Sequence, residues 1–402
     1  MSAAQLSKRV GDVFQVLGGG TPTTKKPAYW NGSIPWATSA DLDNDLAVTP
    51  RKSISKEAIA ASATNLVPAG SVIVATRVGL GKVGIAETKL CFSQDCQALI
   101  VDPRICDSKF VAHQLKLRVQ IFKHISRGTT IAGVTKKQLL DVPFDLPPLP
   151  NQRRIVGEIE KQFSRLEEGV GALKRVQANL KRYRAAVLKA ACEGRLVPAS
   201  KQWQRRKLGE ITSKIGSGST PRGGEEIYRS TGVPLIRSMN VHSTGFRFDG
   251  LVYIDDAEAK KLDHVIVTAE DVLLNITGAS IGRVTTAPAS LNGARVNQHV
   301  CIIRPKQELL PSFLAMFLAS PNEQARVMNV QVGATRQALT KAMVTNWEVP
   351  LPSLAEQSRI VAEVERRLSM VEELEAVVAA NLQRAARLRQ SILQKAFAGE
   401  LA

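Results

Sequence analysis

Residues 146–160 read LPPLPNQRRIVGEIE, and residues 351–365 read LPSLAEQSRIVAEVE. A shift of 205 residues aligns the two stretches without a gap and places Gln152 on Gln357. When residues 146–197 are compared with residues 351–402 in this way, 18 of the 52 positions carry the same residue. Self-similarity at a fixed period is the signature of a repeated structural unit, so the chain divides at these two blocks.

Each block has the pattern of one long helix. Apolar residues recur every seven positions for more than four heptads, which is typical of a helix with a single apolar seam. Prolines stand before the first block and Gly194 stands at its end, as expected at helix boundaries. About 42 residues that rise 1.5 Å each make a helix of roughly 60 Å.

A single helix of this length cannot bury its own seam, so we expect the two helices to pair as an antiparallel coiled coil. Pairing of each helix with another chain remains the alternative, because Gln162, Gly169, Arg367 and Asn381 interrupt the pattern. The residues predicted to form the coiled-coil core are Ile155, Ile159, Leu166, Leu173, Leu180, Val187, Ile360, Val364, Val371, Val378 and Ile392.

The segments before the helices repeat more weakly, and each mixes short apolar runs with a helix. Thr21-Pro22 parallels Thr220-Pro221, for example. We therefore expect an α+β chain with two loop-rich α/β units in a pseudo-twofold internal repeat. The predicted strands are 71–76, 97–101, 271–276 and 299–304, and the predicted helices are 110–125 and 313–328. The predicted domains are 1–145 and 198–350 for the units, with 146–197 and 351–402 for the long helices.

The charge balance suggests a polyanionic partner. The 402 residues carry 54 Lys and Arg against 36 Asp and Glu, a net charge of +18. Residues 1–150 have 18 basic and 11 acidic residues, and residues 198–352 have 18 and 13, so both units share the excess. The second long helix is neutral. These numbers favour nucleic acid as the partner and place an anion-binding surface on each unit.

Composition and missing motifs exclude several classes. No apolar run reaches the length of a membrane helix, and the N-terminus does not resemble a signal peptide, so we expect a cytoplasmic chain. The five scattered cysteines predict reduced thiols. We find no phosphate-binding loop, dinucleotide fingerprint, adenine-methyltransferase tetrapeptide or metal-ligand spacing. Two Glu-x-Lys triplets begin at Glu87 and Glu258, but only the second has a cluster of aspartates before it. Because the first half has no counterpart to that cluster, nuclease chemistry is not supported.

Two diverged units that alternate with two near-copies of a long helix resemble the specificity subunit of a type I restriction–modification system. The resemblance covers the whole chain and is carried by the LPxL–Q–x–RIV openings and by the closings LKAACEGRL, from Leu188, and LQKAFAGEL, from Leu393. The first closing departs from the family at Cys192-Glu193, where an aromatic and a small residue are expected.

This resemblance implies that the units are target recognition domains, each of which reads one half of an asymmetric bipartite DNA site. It implies that the helices set the spacer and dock two methyltransferase subunits, to which two motor–nuclease subunits add. S-adenosylmethionine, ATP and Mg are then expected on those partners, and this chain is expected to be non-catalytic and to bind no metal. A DNA-reading adaptor for another effector is the alternative, and a stand-alone nuclease is less favoured.

Candidate DNA-binding residues are polar or basic side chains in corresponding loops of the two units. Solvated loop polarity is the competing explanation for each of them. If the helices act as a ruler, inserting one helical turn should shift the preferred spacer. In the first unit the candidates are Thr23, Lys25, Lys26, Tyr29, Ser39, Asp41, Arg77, Lys82, Arg127, Thr129 and Thr130. In the second unit they are Ser219, Arg222, Arg237, Ser238, Asn240, Thr277, Ser280, Arg283, Arg336 and Gln337.

Overall fold

The computed structural model divides into two compact units. Unit 1 consists of residues 1–173 and 380–402, and unit 2 consists of residues 174–379. None of the helices in the described part of the chain combines the length and the apolar character that a membrane span requires. The structure describes residues 8–42, 46–118, 133–198, 203–219, 223–329 and 338–401.

Unit 1 is built on a four-stranded antiparallel sheet in the order β2-β8-β5-β6, beside a three-stranded sheet in the order β4-β3-β7. A short pair, β1-β9, closes the unit next to its long helix. The strands are β1 (Lys8–Arg9), β2 (Gln15–Gly18), β3 (Ile34–Ala37), β4 (Lys52–Ile54), β5 (Val72–Ala75), β6 (Val83–Ile85), β7 (Cys91–Phe92), β8 (Cys96–Ile100) and β9 (Pro143–Phe144). The helices are α1 (Val10–Val13), α2 (Lys56–Ala60), α3 (Ser108–Leu117), α4 (Lys136–Leu140) and α5 (Leu149–Cys192).

Unit 2 repeats this architecture with sheets in the orders β11-β19-β16-β17 and β15-β12-β18, a closing pair β10-β20 and a hairpin β13-β14. Its strands are β10 (Gln204–Lys207), β11 (Thr212–Ser217), β12 (Val233–Ile236), β13 (Val241–His242), β14 (Gly245–Phe246), β15 (Val252–Ile254), β16 (Val272–Asn275), β17 (Val284–Thr286), β18 (Arg295–Val296), β19 (Val300–Pro305) and β20 (Glu348–Leu351). Its helices are α6 (Leu208–Ile211), α7 (Asp256–Lys261), α8 (Pro311–Leu318), α9 (Pro321–Asn329), α10 (Lys341–Thr345) and α11 (Leu354–Ala398).

The four predicted strands correspond to β5, β8, β16 and β19, each within one residue of its predicted ends. Their side chains are buried on both faces, which explains the continuous apolar runs in the sequence. The helix predicted over 313–328 is wrong as a single element, because α8 ends at Leu318 and a second helix, α9, begins at Pro321. Proline cannot donate the backbone hydrogen bond that a continuous helix requires. The helix predicted over 110–125 corresponds to α3, which begins at Ser108 and ends at Leu117 with Arg118 as its C-cap, and residues 119–125 lie outside the described part.

In each unit, segments of α5 and α11 run antiparallel. In unit 1, Ile159 and Phe163 of α5 pack with Ile392 and Ala396 of α11. In unit 2, Val187 of α5 shares a core with early α11 residues and with sheet residues of that unit. The chain therefore pairs its two long helices with each other.

The cysteines of the chain are all free. Burial raises the pKa of Cys91 to about 11 and that of Cys96 to about 12. Burial likewise raises the pKa of Cys301 to about 12. Since only the thiolate is a good nucleophile, these thiols are unreactive parts of the core at neutral pH.

Candidate nucleic-acid interface

A tight turn after β3 holds two of the predicted residues in unit 1. Asp41 accepts hydrogen bonds from the backbone nitrogen and the hydroxyl of Thr38, at 2.7 and 2.8 Å, and from Arg51 Nε at 2.6 Å. Burial acts to raise the pKa of Asp41, but the hydrogen bonds from Arg51 and Thr38 outweigh it and hold the pKa below its usual value. Asp41 therefore holds the turn through these hydrogen bonds, and its contact with DNA stays a prediction.

The corresponding turn of unit 2 is held by Asn240. The Asn240 side chain is fully buried; its Oδ1 accepts from the Arg237 backbone nitrogen, and its Nδ2 donates to the carbonyl oxygens of Arg247 and Asp249. Both ends of the amide are thus occupied within the protein. Asn240 therefore holds its turn as Asp41 holds the turn of unit 1, and its contact with DNA stays a prediction.

A second turn lies against this one in each unit and carries a basic residue at the same place. The backbone nitrogens of Lys82 and Arg283 donate to Gly79 and Ser280, both at 3.1 Å. The preceding glycines, Gly81 and Gly282, both have φ of +83°. That φ is readily adopted only by glycine, which explains why the Gly-Lys and Gly-Arg pairs recur.

Hydrogen bonds join the two turns within each unit. In unit 1, the exposed Lys82 donates to the carbonyl oxygen of Ser39 at 3.4 Å, and the Ser39 side chain is buried. In unit 2, Asn275 Nδ2 donates to the Ser238 carbonyl at 2.8 Å and to the Ser280 hydroxyl at 3.1 Å. The predicted residues of these turns therefore lie together in each unit.

Two further candidates of unit 2, Thr277 and Arg237, contact neighbouring residues. Thr277 hydrogen-bonds through its hydroxyl to His299 Nδ1. The Arg237 guanidinium lies 5.1 Å from the centre of the Tyr228 ring and donates to the Gly250 carbonyl. Thr277 and Arg237 are thus positioned by neighbouring side chains rather than free in solvent.

Two lysines of unit 1, one from the glycine- and threonine-rich loop and one from β4, lie over aromatic rings. Lys26 Nζ lies 4.7 Å from the centre of the Tyr29 ring and 3.2 Å from its hydroxyl. Lys52 Nζ lies 5.3 Å from the Trp30 ring, and Trp30 Nε1 donates to the carbonyl oxygen of Thr23. Tyr29 and Trp30 pack against the core around Trp36. The half-buried Tyr29 therefore supports this loop through packing, whereas Lys25 and Lys26 are exposed.

The other candidates are either exposed or outside the description. Arg77 and Ser219 are exposed. The following candidates lie outside the described residues: Arg127, Thr129, Thr130, Arg222, Arg336 and Gln337.

Sequence reasoning missed several residues that share these surfaces. Arg51 and Lys52 follow the first turn in unit 1, and Arg247 follows the hairpin β13-β14 in unit 2. Burial, and then the positive charges of Arg247 and Arg283, lower the pKa of His242, which places these three residues close together. A careful alignment of the first-unit segment 38–52 with its counterpart could have identified this basic stretch, since both follow a matching Ile-Pro or Val-Pro strand.

The residues predicted to form the coiled-coil core are mostly buried. Ile155, Leu166 and Leu173 are half-buried, and the other eight predicted core residues are buried. The neighbouring apolar row is exposed at Val176, Tyr183, Leu374 and Leu388. A pair of helices needs only one stripe on each partner, so the second row keeps contact with solvent.

No group of three or more His, Cys, Asp or Glu side chains that could hold a metal ion occurs among the described residues. Asp255, near the second Glu-x-Lys triplet, caps α7 by accepting from the Glu258 backbone nitrogen. Glu258 itself pairs with Lys261. These carboxylates therefore have structural roles in this stretch.

Comparison with known proteins bears on the identity of these units. The family model of the type I restriction modification DNA specificity domain matches residues 6–172 and again residues 200–375. A type I restriction enzyme EcoBI specificity subunit of Escherichia coli is 28% identical over 73% of this chain and 66% of its own length. An MjaIX specificity subunit of Methanocaldococcus jannaschii is 23% identical over 70% of this chain and 68% of its own. The chain thus spans about two thirds of the length of these relatives.

Two solved structures share the fold. One, from work on complex assembly and conformational transition of the type I R-M system, has a TM-score of 0.77 at 21% identity and covers 98% of this chain and 97% of its own. The HsdS subunit from Thermoanaerobacter tengcongensis has a TM-score of 0.55 at 21% identity, over 98% and 96% of the two chains. Together with the two domain matches, they show that this chain belongs to the family of type I restriction–modification specificity subunits, whose DNA specificity domain it carries twice.

Proposed function

We propose that each unit reads one half of an asymmetric bipartite DNA site. The observation that carries this proposal is that the same two turns recur in both units with different side chains on them. Lys82 in unit 1 corresponds to Arg283 in unit 2, and Thr38 corresponds to Arg237. Two unlike half-sites require the same turns to carry different side chains, because base pairs differ in their pattern of hydrogen-bond donors and acceptors.

The residues that we assign to the DNA surface are those that remain exposed or border the two turns. Basic side chains at such positions suit phosphates, and hydroxyls suit either phosphates or bases. In unit 1 they are Thr23, Lys25, Lys26, Arg77 and Lys82, with Arg127, Thr129 and Thr130 outside the described residues. In unit 2 they are Ser219, Arg237, Ser238, Thr277, Ser280 and Arg283, with Arg222, Arg336 and Gln337 outside the described residues.

The two long helices set the spacer between the half-sites and dock two methyltransferase subunits, to which two motor–nuclease subunits add in the full complex. Each long helix contributes residues to both units, which supports a role as ruler. In this arrangement the domains are 1–145 and 198–350 for recognition, with 146–197 and 351–402 for the helices.

Methylation and cleavage are carried out by the partners, which bind S-adenosylmethionine, ATP and Mg. This chain contributes recognition and assembly and is itself non-catalytic. The setting is the cytoplasm, where the DNA and the partner subunits are found.

Long-read methylome sequencing tests the proposal. A methylation-deficient host would express this chain with its neighbouring methyltransferase, and a control host would express the methyltransferase alone. We expect a gapped, asymmetric adenine motif only with the pair. If the complex assembles and no motif appears, the proposal is overturned in favour of an adaptor for another effector.

A pair of variants tests the assignment of the turns. Arg283→Ala should reduce methylation of the motif, because it removes a positive charge from the unit 2 turn. Arg205→Ala is the matched control, since Arg205 is an exposed residue of β10 outside both turns. Equal methylation by the two variants would remove Arg283 from the DNA surface.

A further inference from the structure

Two large apolar side chains project from the first turn of unit 2 and the stretch that follows hairpin β13-β14. Met239 is 48% exposed and Phe248 is 54% exposed. Both belong to residues 237–250, and the proposed DNA surface uses Arg237 and Ser238 of the same stretch. Exposed apolar groups on a presented turn are candidates for a contact with a binding partner.

The surrounding residues support both side chains. Phe248 packs edge-on against the half-buried Phe246, with ring centres 5.0 Å apart. A Cβ atom at Gly250 would come within 2.7 Å of Met239 Cε, so the glycine leaves room for the methionine. Arg237 also contacts this glycine, by donating to its carbonyl oxygen at 2.6 Å. The local structure thus holds the apolar pair at the surface.

Positive charge surrounds the apolar pair. Arg237, Arg247 and Arg283 lie on or beside these turns, and Asp249 is the carboxylate within residues 237–250. The balance suits a polyanion better than a neutral protein surface. The occupant that fits both the charge and the apolar pair is DNA.

Unit 1 presents smaller groups at the same positions. The hydrogen bond from Thr49 to Asp41 matches the one from Arg247 to Asn240, which aligns Pro50 with Phe248 and Ala40 with Met239. The apolar pair is therefore a feature of unit 2 and distinguishes what the two units can read.

We propose that Phe248 and Met239 read the C5-methyl group of a thymine in the half-site bound by unit 2. In the major groove this methyl group is an apolar feature that distinguishes thymine from cytosine, and phenylalanine is one of the side chains that contact it. The inference rests on the proposed function, because it names one chemical feature of the DNA that unit 2 recognises.

Deoxyuridine tests this directly, because it replaces thymine and removes only the methyl group. The complex of the full chain with its methyltransferase would be titrated with duplexes in which each thymine of the motif is replaced in turn. We expect one replacement, in the unit 2 half-site, to weaken binding about fourfold, as for the loss of one buried methyl group. Replacements in the unit 1 half-site serve as the internal control.

Variants show which side chains are responsible. In the Phe248→Ala and Met239→Ala chains, the same deoxyuridine replacement should weaken binding less than twofold. Ile266→Ala is the matched control, because it removes an exposed apolar side chain of unit 2 outside residues 237–250 and should leave the deoxyuridine effect unchanged.

Two results would overturn the inference. Binding that is insensitive to every deoxyuridine would exclude methyl readout, including the case in which Phe248 wedges between base pairs. A deoxyuridine effect that persists in both variants would assign methyl readout to other residues. In both cases a gapped motif would still be found, so failure of this inference differs from failure of the proposed function.

Discussion

Gln152 and Gln357 make the same hydrogen bonds in the two halves of the chain. Gln152 Oε1 accepts from the Asp107 backbone nitrogen at 2.9 Å, and Gln357 Oε1 accepts from that of Leu310 at 2.7 Å. Each Nε2 donates to two carbonyl oxygens, those of Ile105 and Pro147 for Gln152 and those of Glu308 and Pro352 for Gln357. Both side chains are fully buried. Each amide ties the start of a long helix to the segment that leads into α3 or α8.

Replacing either glutamine by leucine should destabilise its unit. Gln152→Leu leaves one backbone nitrogen and two carbonyl oxygens without their partner in a buried place. We expect a loss of about 2–4 kcal/mol in the free energy of unfolding. Chemical denaturation of the full chain measures it, with Gln383→Leu on the exposed face of α11 as the control. Equal stability of the two variants would contradict the proposed role of the amide.

Two ion pairs hold the long helices at equivalent places. Arg184 lies 3.4 Å from Glu372 in unit 2, and Arg389 lies 2.8 Å from Glu167 in unit 1. The shift of 205 residues converts one pair into the other. Because the Glu372 side chain is 60% exposed, we expect Arg184→Glu to cost only about 0.5–1 kcal/mol.

The combined exchange, Arg184→Glu with Glu372→Arg, should recover most of that loss, and added salt should reduce the difference. A double-mutant cycle in low and high salt is the measurement. Strict additivity of the two single changes would show that the side chains do not interact in solution.

His113 should make unit 1 sensitive to acid. It is buried beside Phe163, and burial, with smaller contributions from Lys116, Arg389 and Lys109, lowers its pKa to about 3. Because the unfolded chain binds a proton near pH 6.5 and the folded chain does not, stability falls as the pH drops from about 6.5 toward 3. Over the whole of this pH range the loss is on the order of 5 kcal/mol.

Met316 occupies the matching position in unit 2, as the equivalent hydrogen bonds to Asp107 and Leu310 align α3 with α8. His113→Met should therefore remove this acid sensitivity and leave stability above pH 7 with little pH dependence. Unfolding free energies from pH 4 to 8 for both chains provide the measurement. Parallel pH profiles would show that His113 is protonated in the folded chain.

Lengthening both long helices should change the preferred spacer. Duplicating residues 170–176 and 375–381 adds one heptad to each helix at equivalent places and preserves the apolar seam. Seven residues extend a helix by about 10 Å, which is about three base pairs of B-DNA. Methylome sequencing should show both half-sites retained with a longer gap. An unchanged gap in an assembled complex would refute the ruler.

The heptad pattern, the internal repeat and the long β runs were readable from the sequence for a physical reason. A helix that packs along one stripe must repeat its apolar residues at helical spacing, and a central strand buried on both faces must be apolar throughout. The burial of Ile159 and Val364, and of strands β5 and β16, can therefore be predicted from the local sequence. The break at Pro321 is also a sequence signal, because proline interrupts the hydrogen bonding of a continuous helix.

The DNA surface was harder to predict, because polar residues in turns look alike in sequence. Asp41 and Asn240 have the residue types that read bases, yet both are consumed by hydrogen bonds within their own turns. Only the folded chain shows which polar atoms are occupied and which remain available. The exposed pair Met239 and Phe248 likewise resembles core residues until its surroundings are known.

The sequence by itself determined the repeated architecture, the two long helices and the positive charge, since these follow from periodicity and composition summed over many residues. The tertiary structure alone decided which side chains the turns present. That choice depends on individual hydrogen bonds and packing contacts between segments distant in the chain, such as Lys82 with Ser39 or Asn275 with Ser238. The local sequence does not predict those contacts, because whether a side chain is free to bind DNA depends on its neighbours in the folded chain.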